Sequence, residues 1–175
     1  PNIGFVDWNP RPADENMGIF REVRLVTSNE VAMEHSVVHS KVNTETLDEA
    51  WLTVETELTN QSDKAVSGEL KGELEGKTFC IPVSLAANET YVVKVTSEQT
   101  DVLYLKKPRL WWCHNMGNPE MYKLDLQFVV NNKVSDRETV DFGVREIKDY
   151  LTEENARGFL LNGKKVLVRS AGWTD

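Results

Sequence analysis

From about Ala50 to Val144 the chain alternates apolar and polar residues by twos, and nowhere does it carry an apolar stripe at helical spacing over four turns. Ala50, Leu52, Val54 and Leu58 share one face, while Thr53, Glu55, Glu57 and Thr59 share the other. Val66, Leu70 and Leu74 fall on one side with Gly68 and Gly72. Phe79, Ile81, Val83 and Leu85 repeat the pattern, as do Tyr91, Val93 and Val95. Tyr122, Leu124, Leu126, Phe128 and Val130 form the cleanest run, followed by Val140, Phe142 and Val144. Turn chemistry separates these runs: Asn60-Gln61-Ser62-Asp63, Glu75-Gly76-Lys77, Ala87-Asn88-Glu89 and Asn131-Asn132-Lys133. Strands that are polar on one face bury the other against a second layer, so the pattern predicts antiparallel sheets packed face to face.

That core runs from about residue 29 to residue 146. Residues 1–28 hold a Pro-rich loop, Asn9-Pro10-Arg11-Pro12, and a strand expected over Ile19 to Thr27. Residues 147–175 hold a polar linker, in which Asp149 to Arg157 has room for one turn of helix. Phe159-Leu160-Leu161 and Lys165-Val166-Leu167-Val168 then flank Asn162-Gly163, a hairpin signal because both central residues of a type I′ turn need positive φ. The chain opens Pro1-Asn2-Ile3-Gly4 and stops at Thr174-Asp175, which gives the expectation of a piece of a longer protein. The compartment stays open, a periplasmic or secreted parent being one expectation.

With 20 Lys+Arg against 28 Asp+Glu, the 175-residue chain has a formal net charge of −8. That balance repels phosphates, so no nucleic-acid partner is expected, and no anionic membrane surface either. No apolar run reaches the roughly 18 residues a membrane-spanning helix needs. Cys80 and Cys113 are too few for a disulfide framework, and two buried free thiols are expected rather than a bridge.

No catalytic constellation emerges from the residues. His35 and His39 have the spacing of a helical metal pair, but four residues along a strand span about 13 Å, too far for one ion. Cys80, Cys113 and His114 are three ligand types of unknown proximity, so no metal is expected. Glu30 and Glu89 each follow Asn, at strand-entry turns, where solvated carboxylates are the expectation. There is no nucleophile elbow and no glycine-rich phosphate loop. Asn60-Gln61-Ser62 and Asn88-Glu89-Thr90 match the glycosylation acceptor pattern. Adjacent indoles such as Trp111-Trp112 face opposite ways on extended chain, one inward and one outward, with a core-and-interface role the first reading and sugar stacking the second.

Four segments together resemble glycoside hydrolase family 2, in its exo-β-glucosaminidase and β-mannosidase branches. Asp7-Trp8-Asn9-Pro10 with Asn16-Met17-Gly18-Ile19-Phe20-Arg21-Glu22-Val23 is similar to the end of that family's jelly-roll domain. Pro108-Arg109-Leu110-Trp111-Trp112, through Gly117-Asn118-Pro119-Glu120-Met121-Tyr122-Lys123-Leu124, is similar to its paired-Trp stretch. Phe142-Gly143-Val144-Arg145 resembles the end of its immunoglobulin-like domain. Phe159 to Arg169 resembles the entry to its catalytic barrel, and Ala171-Gly172-Trp173 the end of the first barrel strand. Cys113 stands where proline is common and Ser170 where glycine is usual.

The resemblance implies an all-β, immunoglobulin-like antiparallel sandwich over 29–146, the end of a jelly roll over 1–28, and a linker with the start of a (β/α)8 barrel over 147–175. It implies a parent that is a retaining β-glycosidase, with both catalytic glutamates on that barrel and no cofactor. A barrel of about 250 residues does not fit after Glu146, so no catalytic residue is expected here and the chain alone is expected to be inactive. Asp7, Trp8, Trp173 and Asp175 are the residues the resemblance places toward the parent's sugar pocket. The implied partners are the jelly-roll and barrel domains and a β-linked carbohydrate. Two further readings stand beside this one: a carbohydrate-binding module stacking sugars on Trp111, Trp112 or Trp51, and an adhesion module.

Overall fold

The alternating runs become strands: β1 Val31–Val42, β2 Glu49–Asn60, β3 Val66–Leu74, β4 Lys77–Leu85, β5 Thr90–Thr96, β6 Tyr104–Lys106, β7 Tyr122–Val130, β8 Lys133–Phe142, β9 Ile147–Leu151, β10 Arg157–Leu161 and β11 Lys164–Val166. The structure, a computed structural model, describes residues 19 and 21–168. One sheet has the order β1-β2-β5, with β6 also paired to β2; a second has the order β4-β3-β7-β8; a small third has the order β11-β10-β9. Every pairing between these strands is antiparallel. The first two sheets face each other as an immunoglobulin-like sandwich. Residues 27–168 form one compact unit. Among the described residues no helix is long and apolar enough to cross a membrane.

The core is built by the inward residues of each run. Leu52, Val54 and Leu58 of β2 are buried, as are Leu70 and Leu74 of β3, Val95 of β5, and Leu124, Leu126 and Phe128 of β7. The two glycines of β3 face inward because larger residues claim their space. A Cβ on Gly68 would lie 2.6 Å from the Val129 carbonyl oxygen, and one on Gly72 would lie 2.2 Å from the Phe79 ring. The β3–β4 turn has φ of 51° and 76° at Glu75 and Gly76, and the β7–β8 turn has 48° and 60° at Asn131 and Asn132. Both are the twisted two-residue turns that suit antiparallel ladders.

Opposite β2, the free edge of β1 faces β8, whose side chains take the place of a neighbouring strand. Met33 N–H donates to Asp136 Oδ2 at 2.8 Å and Ser36 N–H to Glu138 Oε2 at 3.3 Å. An edge amide facing a carboxylate is satisfied and closed to further strand pairing.

Three expectations are corrected. Residues 21–28 form no strand, and Val23, Leu25 and Val26 are exposed, because among the described residues no strand offers them a hydrogen-bonding edge. Asp149 to Arg157 holds no helix: Asp149, Tyr150 and Leu151 belong to β9, and a turn leads to β10, Thr152 N–H donating to the Ala156 carbonyl at 2.8 Å with Asn155 at φ 60°. The cysteines are free as expected but not buried. Cys80 is exposed because its neighbours Phe79 and Ile81 take the inward positions of β4, which leaves the residue between them outside.

Candidate functional site

Three segments far apart in sequence meet at one end of the sandwich. Leu110 bridges Val144, and Trp111 N–H donates to the Val144 carbonyl at 2.9 Å. Gly143 lies flat under Trp111, since a Cβ there would sit 2.8 Å from the indole. The Arg145 guanidinium covers the same ring at 4.4 Å from its centre. Trp112 packs against the core, with Gly117 beside its ring and the Lys164 ammonium 4.9 Å above it. Arg109, at the head of this segment, donates twice to the Glu75 carboxylate at 3.1 Å and lies 4.3 Å over the Tyr122 ring. Its guanidinium holds the Glu75 carboxyl below the usual carboxylate range.

The β10–β11 turn docks into this meeting point. Asn162 and Gly163 have φ of 49° and 78°, as an Asn-Gly hairpin requires. Asn162 is buried, 1% exposed, and is held by three hydrogen bonds: its N–H donates to the Glu146 carbonyl at 2.8 Å, its Oδ1 accepts from Glu146 N–H at 2.8 Å, and its Nδ2 donates to the Trp111 carbonyl at 3.0 Å. Gly163 lies against Thr44 of the β1–β2 loop, where a Cβ would come within 3.0 Å. The Glu146 side chain turns the other way. Its Oε2 accepts from Val42 N–H at 3.0 Å, and Lys148 Nζ is 2.5 Å from its Oε1. Burial pushes the Glu146 carboxyl up; the Lys148 ammonium, the Val42 amide and Lys41 outweigh it, and the net direction is down. Ser40 Oγ donates to the Arg145 carbonyl at 2.7 Å and accepts from Arg145 N–H at 3.0 Å, which ties the end of β1 to the same segment.

This arrangement fixes the small sheet to the sandwich. Asp7, Trp8, Trp173 and Asp175 lie outside the described residues. Trp111 and Trp112, expected to face opposite ways, are half-buried and each has a cation over its ring. Trp51 instead lies on the outer face of β2 beside Tyr104. His35 and His39 do not share a site: His35 lies 3.7 Å from Glu57 and His39 3.9 Å from Glu55. Glu34, His35 and Glu57 place one ligand atom each within 4.8 Å of one another, the one such group among the described residues, on the surface beside the β1 bulge. Of the two glycosylation patterns, Asn60 is buried with its Nδ2 donating to the Lys64 and Ala86 carbonyls at 2.7 Å, so a glycan there is incompatible with the fold. Asn88 sits exposed in a turn. The roles of Asn162 and Glu146 were not foreseen; the Asn-Gly pair signalled the turn but not its docking.

The model of the family described as "Glycosyl hydrolases family 2" matches residues 31–145. The chain belongs to glycosyl hydrolases family 2. An exo-beta-D-glucosaminidase of Streptomyces avermitilis is 36% identical over 172 residues, covering 98% of this chain and 19% of that protein. An exo-beta-D-glucosaminidase of Amycolatopsis orientalis is 37% identical, covering 99% of this chain and 16% of that protein. The chain thus spans less than a fifth of the length of these relatives. Among solved structures, the Amycolatopsis orientalis exo-chitosanase CsxA in complex with PNP-beta-D-glucosamine superposes with a TM-score of 0.82 at 37% identity, over 98% of this chain and 20% of that one. A family 2 beta-galacturonidase from Eisenbergiella tayi, at 18% identity and a TM-score of 0.60, shares the fold. The paired-Trp segment and Phe142-Gly143-Val144-Arg145, two of the stretches that carried the resemblance, are the strands and loops that close this end of the family 2 sandwich.

Proposed function

We propose that this chain is a non-catalytic piece of a retaining β-glycosidase that acts on β-linked glucosamine or a related sugar, and that its task is to position the catalytic barrel. In this reading residues 1–28 end a jelly roll, 29–146 are the immunoglobulin-like sandwich, and 147–175 lead into the (β/α)8 barrel. Asp7, Trp8, Trp173 and Asp175 line the sugar pocket of the longer protein. The observation that carries the reading is Asn162. One buried side chain ties the segment leading out of the sandwich to Glu146 and to Trp111, so whatever follows β11 inherits a fixed starting point. Placement matters because an error of about 1 Å near the chemistry costs on the order of 100-fold in rate.

The test is a transplant. Residues 1–175 replace the matching segment of the Amycolatopsis orientalis exo-beta-D-glucosaminidase, and hydrolysis of PNP-beta-D-glucosamine is followed. The chimera is expected to be active and its Asn162→Ala variant to lose ~10-fold or more in kcat at unchanged folding. The 175-residue chain alone is expected to release no nitrophenol. Turnover by the chain alone, abolished by changing one of its own carboxylates, overturns the reading.

A further inference from the structure

On the solvent face of the first sheet, Trp51 of β2 pairs in register with Tyr104 of β6. Their ring centres are 6.0 Å apart and their planes are inclined by 33°. The rings line an open groove of about 610 Å³, whose walls bring Glu49, Glu98 and Asp101 together with Lys41, and the Lys106 ammonium lies 5.9 Å from the centre of the Tyr104 ring. The Tyr104 hydroxyl donates to Glu49 Oε1, and Glu49 Oε2 accepts from Asn43 Nδ2 at 3.2 Å, so the ring is held at a fixed angle. Glu49 raises the Tyr104 hydroxyl above the usual phenol range, so it stays a donor. Glu98 and Asp101 have no salt bridge to a described residue, and their charge faces solvent at the mouth of the groove. Elsewhere this face carries Thr53, Glu55, Glu57 and Thr59 of β2, so the aromatic pair is a local feature of the surface.

Two half-exposed rings at a shallow angle offer flat apolar area with little conformational freedom to lose. The equatorial substituents of a β-linked pyranose leave its ring faces apolar, and such faces stack on indole and phenol rings. An ammonium beside them gains twice, from the ring quadrupole and from the carboxylates. A phosphorylated or sulfated chain is repelled by the same three carboxylates. We propose that the Trp51–Tyr104 groove is a binding site for an oligosaccharide of β-linked glucosamine with free amino groups. The proposal takes its sugar class from the groove's charge and aromatic pair, in keeping with the glucosamine reading above, and does not depend on whether the sandwich positions a barrel.

The test titrates the 175-residue chain with a glucosamine tetramer and, separately, with its fully N-acetylated counterpart. The readout is the indole N–H resonances of the five tryptophans. The expected result is a saturable shift of the Trp51 signal by the amino tetramer only, with the Trp111 and Trp112 signals unmoved. Trp51→Ala should weaken binding by ~10-fold or more, while Trp51→Phe, which keeps a ring, stays within ~3-fold. Glu98→Gln with Asp101→Asn should weaken binding and flatten its dependence on salt. No saturable shift, equal binding of the acetylated tetramer, or a shift confined to other tryptophans each overturns the proposal. Those results leave the transplant experiment untouched, and an inactive chimera leaves this titration untouched.

Discussion

Ser135 Oγ sits between the two backbone polar groups of Val31, accepting from its N–H at 2.8 Å and donating to its carbonyl at 2.9 Å. One hydroxyl on β8 thus does for β1 what a strand residue would do. Both residues are buried, so water cannot take over if the hydroxyl is removed.

Ser135→Ala is therefore expected to cost ~2–4 kcal/mol, since it orphans a buried donor and a buried acceptor. Ser84→Ala, which breaks an exposed hydroxyl pair with Ser67 on β3, should stay within about 0.5 kcal/mol. Urea unfolding of the two variants at equal m-value checks the contrast. Equal midpoints would mean that β1 is held by its pairing with β2 alone.

The Glu146 carboxylate gives this end of the sandwich a pH dependence of known sign. Its folded-state pKa lies below the ordinary value of 4.5, so the folded state holds its proton less tightly than the unfolded chain. The stability it contributes is complete above about pH 4.5 and is lost as pH falls through the lower, folded value. Glu146→Gln should cost ~1–3 kcal/mol at pH 7, leaving Lys148 unpaired and weakening the bond to Val42. The gap between wild type and variant should close as the pH falls toward 3. Urea midpoints measured from pH 7 to pH 3 test this, and a constant gap would put the effect on packing rather than charge.

The strands were legible because each buries one face, and burying one face forces the period-two pattern seen in Tyr122 to Val130. The Asn162-Gly163 turn was legible because positive φ at two successive positions restricts the residues that fit. What the pattern could not carry is the part that depends on residues about a hundred positions apart. Nothing in Ser135, Asp136 or Glu138 marks them as partners for β1, because an outward polar residue on a strand looks the same whether it meets water or an edge amide. Asp149 to Arg157, within a polar linker, left room for one turn of helix. Tertiary pairing of Tyr150 with Gly158, whose missing Cβ leaves room for the phenol ring, decides for the hairpin instead. Residues 21–27 show the converse, a β-like composition that forms no strand, since no strand among the described residues offers a hydrogen-bonding edge beside it.

Gly72 and Phe79 face each other across the β3–β4 ladder, and the ring occupies the volume a Cβ would need. Gly72→Ala is expected to destabilise by ~1–3 kcal/mol through overpacking. Phe79→Leu alone should cost a similar amount through lost burial. The two changes together should cost less than their sum, by ~1 kcal/mol, because the smaller side chain vacates the space the methyl needs. A double-mutant cycle in urea measures that coupling directly. Simple additivity would show that β3 shifts away from β4 instead of the ring yielding.

Asn162 joins the small sheet to the sandwich through hydrogen bonds to Glu146 and Trp111, and Leu161 beside it is 4% exposed. The rest of that sheet has little to hold it, since Ile147 and Leu151 are 60% and 63% exposed. Local opening is cheapest where few buried contacts resist it, so β9 to β11 should open without unfolding the sandwich. Amide exchange is expected to rank protection with Tyr122–Val130 highest, Phe159–Val166 intermediate and residues 21–28 lowest. Asn162→Ala should erase the intermediate class, speeding exchange at Leu161 and Lys164 by ~10-fold or more, and leave Tyr122–Val130 unchanged. If the variant instead lowered protection across β7 as well, the hairpin would be part of the cooperative sandwich and not a separately anchored element.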